Sequence, residues 1–395
     1  MKVVFIHTDF RIYWPARLRA LSCFLKSKQI SLSIVEIAGA GSPYAFAQKN
    51  NENGNWHILF PDRKMEELGK REIKHAVDSI LNNLSPDVII AGAIAFPSGA
   101  LATAWAKRHK KKIVIFDDAK IEDVPRGKIV TFIKRHLYKC VDAMLYPSED
   151  WVGTGLYWQF ERKQLFYGID VVDLDFWSQS IARVQNSQPY FISIGRQIPV
   201  KNNIFLLEAY KDYLAQAGYK NAYNLVLVGD GPNRSEIEAY VRNNNLEKFV
   251  TIYPFIQQRD LIAIYRNAIA LILASIKETW GLVINEAMAC GLPVIVSSRC
   301  GATKTLVQNG VNGFVFDPYC RESLVNALAL FSRLTKEEQG EMGKQSSRLI
   351  QKWGLDRFVL GCFDAICYVD KVQSRKISIL ERIILSLWKG RYRPI

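Results

Sequence analysis

The sequence is poor in the residues that build disulfide frameworks and metal centres. Its 395 residues include 7 cysteines and 5 histidines, and no two cysteines form a CxxC pair. An odd number of scattered cysteines favours a reduced, cytoplasmic protein over a secreted, disulfide-rich one. No cluster of His, Cys or Asp has the spacing of a zinc site, so we expect no metal cofactor.

Long apolar runs are also missing. Arg266 and Asn267 interrupt the longest candidate, so the pattern predicts no membrane-spanning helix. The opening residues, MKVVFIHTDF, indicate a first β-strand and not a signal peptide. Low-complexity segments and solenoid repeats are absent. With 49% hydrophobic residues, the chain is long enough for two globular domains, each with its own core.

Acidic residues are too few to balance the basic ones, and the formal charge is +14. Residues 107–139 hold 11 Lys or Arg against 4 Asp or Glu, and residues 371–395 hold 7 against 1. Such a surplus suits nucleic acid, an anionic membrane or phosphorylated ligands. Neither segment carries a nucleic-acid-binding motif, so we expect no nucleic-acid partner.

Short apolar runs alternate with helical patterns along most of the chain. Such alternation predicts α/β domains with doubly wound parallel sheets covered on both faces. The runs are VVFI (3–6), DVIIA (87–91), IVIF (113–116), AMLY (143–146), YFISIG (190–195), LVLVG (225–229), VTIY (250–253), ALILAS (270–275) and PVIVSS (293–298).

A polar stretch at 168–189 interrupts this rhythm and marks a domain boundary. We expect an N-terminal domain at 1–170, a linker at 171–188, a C-terminal domain at 189–350, a helix at 351–370 that crosses back to the N-terminal domain, and a basic amphipathic tail at 371–395. Because ligands bind at the carboxyl ends of strands in doubly wound sheets, the active site is expected in the cleft between the two domains.

The stretch KETWGLVINEAMACGLPVIVS, residues 277–297, places two carboxylates in very apolar sequence. A helix opening at Gly281 leaves the amides of Gly281, Leu282 and Val283 unpaired, which makes an anion site for a diphosphate. Glu278 precedes that site, and Glu286 lies about 7.5 Å further along the helix axis. Carboxylates accept hydrogen bonds from sugar hydroxyls, so the layout suits a nucleotide sugar. The alternative is two ordinary surface glutamates.

The same stretch resembles the E-x7-E signature of retaining glycosyltransferases of family 4, which have the GT-B fold. The resemblance is strong over about 140–370 and weaker over 1–140. It implies two Rossmann-like domains facing a cleft and a nucleotide-sugar donor. Further segments that resemble the family are SIGRQIPVKNNIFLLEAY (193–210), LVLVGDGPNRSEIE (225–238), VTIYPFIQQRDLIAIYRNA (250–268) and NGVNGFVFDP (309–318).

The resemblance implies a role for each donor-site residue. Arg196 and Lys201 are expected to hold the donor diphosphate and to stabilise the leaving group in place of a metal. Glu286 is expected to bind the ribose hydroxyls and Glu278 the transferred sugar.

Two further features bear on the donor site. Gly229 and Gly231 are expected to shape a turn near the donor, the alternative being a purely structural turn. The DLD triplet at 173–175 is similar to the DxD metal motif of another glycosyltransferase fold, but it lies in the expected linker and is interpreted as a structural loop.

The first strand-to-helix loop, HTDFRIYWPARLRAL, departs from the family because it contains no glycine. Its Arg11, Tyr13, Trp14 and Arg17 suggest an acceptor-side surface where the arginines meet a phosphorylated lipid carrier. The alternative is ordinary packing by Trp14 with solvent-facing arginines.

The family often has a histidine after an N-terminal-domain strand, where this chain has Asp117 and Asp118. Either aspartate can act as a base or position the acceptor hydroxyl. The equal alternative is that they cap the next helix.

The residues and the resemblance together predict a glycosyltransferase with a nucleotide-sugar donor, UDP-linked rather than GDP-linked, and a glycan or lipid-linked acceptor in surface polysaccharide or glycolipid assembly. The resemblance implies that the reaction retains the anomeric configuration. The alternatives are a GT-B nucleotide-sugar epimerase and an inactive sugar-nucleotide-binding protein. We expect a cytoplasmic protein on the inner face of the membrane. Its expected anchors are the basic run Arg108–Lys112, a helix at 126–139 with Lys134 and Arg135, and the tail. The alternative is that this helix packs on the sheet of the N-terminal domain and that the charges form a solvated face.

Overall fold

The computed structural model describes residues 1–40, 54–123, 125–179 and 188–391. The chain forms two compact units. The first contains Met1–Val171 together with Leu355–Ile395, and the second contains Val172–Gly354. Among the described residues, no helix has both the length and the hydropathy required to cross a bilayer.

The first unit is a parallel sheet with helices on both faces. Seven strands in its described part follow the order β3-β2-β1-β4-β5-β6-β7. Its inner strands are continuous runs of buried Val, Ile, Leu and Ala side chains, as expected for a sheet covered on both sides. The elements are β1 (Lys2–His7), α1 (Trp14–Ser27), β2 (Ser31–Ala40), β3 (Trp56–Lys64), α2 (Lys70–Leu84), β4 (Val88–Ala91), α3 (Pro97–Arg108), β5 (Lys112–Phe116), α4 (Lys128–Lys139), β6 (Ala143–Tyr146), α5 (Val152–Tyr157) and β7 (Leu165–Tyr167).

The second unit repeats this architecture. Its described part holds six parallel strands in the order β10-β9-β8-β11-β12-β13. The elements are α6 (Leu174–Trp177), β8 (Tyr190–Ile194), α7 (Asn203–Ala217), β9 (Asn224–Val228), α8 (Arg234–Asn243), β10 (Val250–Tyr253), α9 (Gln258–Asn267), β11 (Ala268–Leu273), α10 (Leu282–Ala289), β12 (Val294–Ser297), α11 (Thr303–Leu306), β13 (Gly313–Phe316), α12 (Arg321–Arg333) and α13 (Lys336–Ile350).

After the second unit, the chain returns to the first through α14 (Leu355–Lys371) and α15 (Ile379–Leu387). Phe358, Cys362 and Ile366 of α14 are completely buried in the first unit's core. A Cβ at Gly361 would lie 1.9 Å from the carbonyl oxygen of Tyr167. Only glycine therefore lets α14 lie this close to β7. The predicted fold class, including the helix that returns to the N-terminal unit, is confirmed.

The predicted linker is partly an ordered element of the second unit. Asp173 accepts a hydrogen bond from the Phe176 amide and so caps α6. Trp177 of α6 is 1% exposed and packs edge-on against Tyr265 at 5.7 Å. The DLD triplet thus begins a short helix. Residues 180–187 of the linker and 392–395 of the tail lie outside the described residues.

Candidate functional site

Each sheet reverses its strand order at its first strand. In the second unit, β8 pairs with β9 on one side and with β11 on the other. Loops that leave neighbouring strands in opposite directions open a crevice at the carboxyl ends of those strands. A small pocket, open to solvent, lies at this point and is lined by Gly195, Arg196, Gln197, Lys201 and Asn203 among others.

Lys201 and Glu278 meet beside this pocket. The Lys201 ammonium donates to Oε2 of Glu278, and the Ser275 hydroxyl donates to the same oxygen at 3.2 Å. The two charged side chains are only 16% and 17% exposed, so solvent screens their attraction less than it would at the surface. The structure therefore brings together two predicted site residues that are far apart in sequence.

The loops that carry this ion pair are joined through their backbones. The Ile276 amide donates to the carbonyl oxygen of Val200 at 3.0 Å. Val200 belongs to the turn that presents Lys201, and Ile276 belongs to the loop that follows β11. This hydrogen bond fixes the distance between the basic and the acidic side of the site.

Gly229 and Gly231, which were predicted to shape a turn near the donor, allow two loops to pack closely beside the pocket. A Cβ at Gly229 would lie 1.9 Å from the carbonyl oxygen of Gly195, and a Cβ at Gly231 would lie 2.4 Å from that of Gln197. The Gln197 amide donates to the carbonyl oxygen of Asp230 at 2.7 Å. The glycines thus let the loop after β9 lie directly on the loop that carries Arg196.

Gln197 was not anticipated from the sequence. Its side chain lines the pocket and is 2% exposed. Within the described part of the chain, its Oε1 atom has no hydrogen-bond partner. A buried acceptor without a partner is costly, so this oxygen is suited to accept an N–H or O–H group of a ligand.

Helix α10 begins at the same edge of the sheet. Gly281 precedes it with φ 103°, and a Cβ there would lie 3.2 Å from Leu273 and 3.3 Å from Glu278 and Ile284. No side chain caps the helix, and its first turn contains no acidic residue. The amides of Leu282 and Val283 thus have no side-chain cap among the described residues and are suited to an anion. That they bind a diphosphate stays a prediction.

Glu286 lies inside the second unit. It is 2% exposed, and Oε2 accepts a hydrogen bond from the Tyr265 hydroxyl at 2.7 Å. Glu286 is not among the residues that line the pocket. Tyr265 lies within the family-like segment 250–268, but no sequence pattern assigned it a role.

The second unit matches a known family. Residues 178–348 match the model described as Glycosyl transferases group 1. This segment belongs to the group 1 glycosyltransferases. The family resemblance inferred from the motifs is thereby confirmed.

Two curated relatives match this chain over more residues than the segment 178–348 contains. The chain is 27% identical to the sulfoquinovosyl transferase SQD2 of Arabidopsis thaliana, over 70% of this chain and 54% of that protein. It is 27% identical to the Escherichia coli UDP-Gal:alpha-D-GlcNAc-diphosphoundecaprenol alpha-1,3-galactosyltransferase, over 51% of this chain and 49% of that protein. The matched region thus spans about half the length of these two relatives.

A solved structure matches nearly the whole chain. Anabaena HepE in complex with UDP aligns with a TM-score of 0.71 at 15% identity, over 93% of this chain and 100% of that one. At this identity the likeness shows the fold, and the fold is that of the GT-B glycosyltransferases, with two Rossmann-like domains.

In the first unit, the predicted acceptor-side arginines are buried. Arg17 is 2% exposed and donates from Nε and Nη2 to the carbonyl oxygen of Val171 at 3.0 and 2.6 Å. Arg11 is 7% exposed and donates to the carbonyl oxygen of Gly39 at 2.7 Å. These contacts hold the first unit together, and no described contact supports a role for the arginines in binding a phosphorylated carrier.

The aromatic residues of that loop also have packing roles. Trp14 lies in a ring cluster with Phe5, Phe10 and Phe116, at centroid distances of 5.7, 5.3 and 5.1 Å. Tyr13 precedes α1 and lies 5.6 Å from the Arg17 guanidinium. Trp14 therefore packs as the alternative expected, but the arginines are buried and not solvent-facing as that alternative had them. A role for this loop at the acceptor stays a prediction.

Asp117 lies at the carboxyl end of β5, where it accepts hydrogen bonds from the Ala119 amide at 3.0 Å and the Tyr138 hydroxyl at 3.3 Å. Burial raises its pKa, and the nearby Lys134 ammonium opposes that rise. The carbonyl oxygen of Asp118 accepts a hydrogen bond from the Trp151 indole at 3.0 Å. A role for either aspartate at the acceptor stays a prediction.

A different group stands at the carboxyl ends of β1 and β4, the neighbouring strands where the first sheet reverses its order. His7 Nδ1, Thr8 Oγ1 and Ser98 Oγ are buried there without a hydrogen-bond partner in the described part of the chain. Burial lowers the pKa of His7 to about 4, so its imidazole is neutral at pH 7. Sequence patterns did not single out these residues, because they belong to no motif that marks a binding site.

The described residues contain no group of three or more His, Cys, Asp or Glu side chains that could hold a metal ion. The independence from metal that the sequence suggests remains a prediction. The chemistry available in the pocket comes from Arg196, Lys201 and backbone amides.

Proposed function

We propose that this protein is a retaining glycosyltransferase that moves a sugar from a nucleotide-sugar donor to a glycan or lipid-linked acceptor. The observation that carries the proposal is the meeting of Lys201 and Glu278 at the pocket where β8 and β11 end. The matched family supports the reaction class. UDP is favoured over GDP because the names of similar proteins include UDP-Gal as donor and UDP as ligand.

In this proposal, the basic side of the pocket serves the leaving group. Arg196 and Lys201 bind the diphosphate together with the first amides of α10. Negative charge grows on the leaving oxygen as the sugar bond breaks, and fixed cations stabilise that charge more than they stabilise the bound donor. This arrangement supplies the charge that a metal ion provides in other transferases, so we propose a metal-independent reaction without a cofactor.

In this proposal, two carboxylates of the second unit orient the sugar groups. Glu278 binds the transferred sugar, and Glu286, held by Tyr265, binds the ribose hydroxyls. Both carboxylates already have strong partners in the second unit. Neither is therefore well placed to serve as a covalent nucleophile, and retention follows from attack by the acceptor hydroxyl on the face that the diphosphate leaves.

The acceptor belongs to the first unit in this proposal. The neutral imidazole of His7, with Thr8 and Ser98 beside it, offers hydrogen-bonding groups at the carboxyl edge of that sheet. A relative whose name specifies a diphosphoundecaprenol-linked acceptor supports a lipid-linked substrate. We therefore place the protein in surface polysaccharide or glycolipid assembly, at the inner face of the cytoplasmic membrane.

The test begins with a thermal-shift panel of UDP- and GDP-sugars, followed by mass spectrometry of the products formed with candidate acceptors. Transfer that persists in EDTA supports the proposal, and loss of transfer that manganese or magnesium restores contradicts metal independence. Conversion of the donor into an isomeric nucleotide sugar without an acceptor indicates an epimerase. Tight binding without turnover on any acceptor indicates an inactive binding protein.

The Glu286→Ala variant tests whether the nucleotide binds at this site and not elsewhere on the protein. We expect it to weaken nucleotide binding by about tenfold or more, since it removes a buried group with the role of binding ribose. Glu341→Ala is the matched control, because Glu341 lies on the exposed side of α13. Equal affinities for the wild type and Glu286→Ala would show that the donor site is wrongly assigned.

A further inference from the structure

Two helices of the first unit expose large apolar side chains side by side. On α4 these are Ile129, Val130 and Phe132, with exposed fractions of 77%, 45% and 53%. On α15 they are Ile379, Leu380, Ile383 and Leu387, with exposed fractions of 77%, 45%, 51% and 76%. Single exposed apolar residues are ordinary, whereas a set on two packed helices marks an interaction site. We call these seven residues the two-helix surface.

The two helices are joined by one buried carboxylate. Glu381 of α15 is 7% exposed, and its Oε1 lies 3.1 Å from Nδ1 of His136 and 3.8 Å from Nζ of Lys139, both on α4. Glu381 also accepts a hydrogen bond from the Ser378 amide, and the Ser378 hydroxyl caps α15 in return. The carboxylate therefore fixes the start of α15 beside the last turn of α4.

The far end of α15 is fixed as well. The Trp388 indole donates to the carbonyl oxygen of Ile94 at 2.7 Å, and the Arg391 amide donates to that of Ala95 at the same distance. Both acceptors lie in the loop after β4. Because both ends of α15 are attached, its apolar residues form a preformed surface and not a loose tail.

The charges around the two-helix surface have one sign. Helix α4 contains no acidic residue, and α15 contains only Glu381, which is buried. Lys128 and Arg135 on α4 and Arg382 on α15 are exposed. The Arg135 guanidinium lies 5.0 Å from the ring of Tyr157, which is itself 37% exposed. Apolar side chains among cations and an aromatic ring are typical of helices that lie in a membrane interface.

This charge pattern argues against the other occupants. A second copy of the chain would bring the surface against itself in a two-fold dimer, and its cations would then repel. Nucleic acid would pair the cations but leave the apolar side chains in water. We propose that the two-helix surface docks on a lipid bilayer that contains anionic lipids, with the apolar residues inserted and the cations at the headgroups.

The structure changes which basic residues take part. Lys134 is part-buried next to Asp117, and burial lowers its pKa. Lys111 forms an ion pair with Asp87 at 2.9 Å, and Lys112 donates to the carbonyl oxygen of Val372. Lys110–Lys112 lies at the start of β5, whereas the exposed apolar residues of α4 follow the end of β5. We therefore leave these four lysines out of the docking surface.

The position of the surface suits a lipid-linked substrate. Trp388 and Arg391 hold α15 to the loop after β4, at the edge of the first sheet where the acceptor is proposed to bind. Docking would bring that edge to the headgroups. This functional consequence rests on the proposed function, whereas the docking itself does not.

The test is co-sedimentation of the full chain with phosphatidylcholine vesicles, either pure or with about one-third phosphatidylglycerol, at low and high salt. We expect recovery mainly with the anionic vesicles at low salt. An apolar variant, Phe132→Gln with Ile383→Gln and Leu387→Gln, and a charge variant, Lys128→Gln with Arg135→Gln and Arg382→Gln, should each lower the partition coefficient by about tenfold or more.

The matched control removes the same charge elsewhere in the first unit, through Lys26→Gln, Arg71→Gln and Lys110→Gln, and should bind nearly as the wild type does. If the control variant loses as much vesicle binding as the charge variant, the assignment of the two-helix surface is wrong, because binding would then depend on net charge alone. Recovery in the supernatant with both vesicle types would also overturn it, as would a dimer that the apolar variant dissociates.

A thermal-shift measurement with UDP accompanies every variant. An unchanged shift shows that the variant is folded and that its donor site is intact, so a loss of docking is separate from a failure of the proposed function. If no protein, wild type included, responds to any nucleotide sugar, the proposed function fails while the vesicle result still stands.

Discussion

The hydrogen bond between Tyr265 and Glu286 offers a direct test of the donor site. Tyr265→Phe removes one hydroxyl and leaves the ring packed against Trp177. That hydroxyl donates to a carboxylate that is 2% exposed, over 2.7 Å. A hydrogen bond to a buried charged group contributes about 1.5–3 kcal/mol, roughly twice the value for a neutral acceptor. We therefore expect Tyr265→Phe to lower stability by about 2 kcal/mol.

Tyr210→Phe is the matched control in the same unit. The Tyr210 hydroxyl is also in the interior, but it donates to a neutral carbonyl, that of Tyr223, at 2.8 Å. Its removal should cost about 1 kcal/mol. Comparing the two variants separates the effect of the carboxylate from the effect of losing a tyrosine hydroxyl.

The measurement is a double-mutant cycle of Tyr265→Phe and Glu286→Gln by urea and thermal unfolding. Because a chain with two units need not unfold in one step, the cycle is evaluated on the transition that UDP shifts upward. We expect a coupling energy of at least about 1 kcal/mol. We also expect Tyr265→Phe to weaken UDP binding, because the ribose-binding carboxylate loses its fixed orientation.

Two results would refute this reasoning. A coupling energy below about 0.5 kcal/mol would show that the two groups act independently. Unchanged UDP affinity in both single variants would show that the pair stabilises the second unit but takes no part in binding the donor.

The remaining predictions concern the ion pair, a glycine and a buried acid. Lys201→Met should lower turnover by about a hundredfold or more with a smaller effect on donor affinity, because the leaving group needs the cation most in the transition state. The control Lys211→Met, on the exposed face of α7, should leave turnover unchanged. Equal kcat values in the two variants would refute the role of Lys201 in stabilising the leaving group. Gly229→Ala should lower stability by about 3 kcal/mol or more, since its Cβ would lie 1.9 Å from the carbonyl oxygen of Gly195. Gly340→Ala is the control, because nothing lies within 4 Å of a Cβ at this position in α13, and it should not lower stability. Similar melting temperatures for the two variants would contradict the clash. Burial raises the pKa of Glu36 from 4.5 to about 7, so the folded state holds the proton more tightly than the unfolded state does. The free energy of unfolding should therefore fall by about 3 kcal/mol as the pH rises from about 4.5 to about 7. Glu36→Gln should remove this loss in unfolding measured against pH, and a parallel pH dependence in the variant would refute it.

The sequence predicted most of the inner strands and the edge strand β10, because burial requires continuous apolar runs, which are local signals. It did not predict the inner strand β2, whose run is broken by Ser33 and Glu36, or the edge strands β3, β7 and β13. Strand β3 contains Pro61 and charged residues at its end, and it is an edge strand of the sheet, where proline and exposed polar side chains are tolerated. An edge strand lacks the continuous apolar pattern that makes an inner strand recognisable.

The positions of Arg196, Lys201, Glu278 and Gly281 in the loops after β8 and β11 were predictable, because the sequence motif and the backbone conformation constrain each other locally. Their role in binding a donor stays a prediction. Gly281 shows this, since it adopts a positive φ beside Glu278 directly before the helix that presents the amides. Tyr265 was not predictable as a partner of Glu286. The two residues meet across 21 positions only because α9 and α10 belong to the same packed unit.

The basic residues show most clearly what the sequence alone leaves open. Composition determined that the protein is cationic and that α4 is amphipathic. Only the tertiary structure decided that Arg17 meets a carbonyl 154 positions away, that Lys134 turns inward to Asp117, and that Lys128 and Arg135 remain exposed. The physical reason is that a charge is bound or solvated according to its neighbours in space, and long-range packing sets those neighbours.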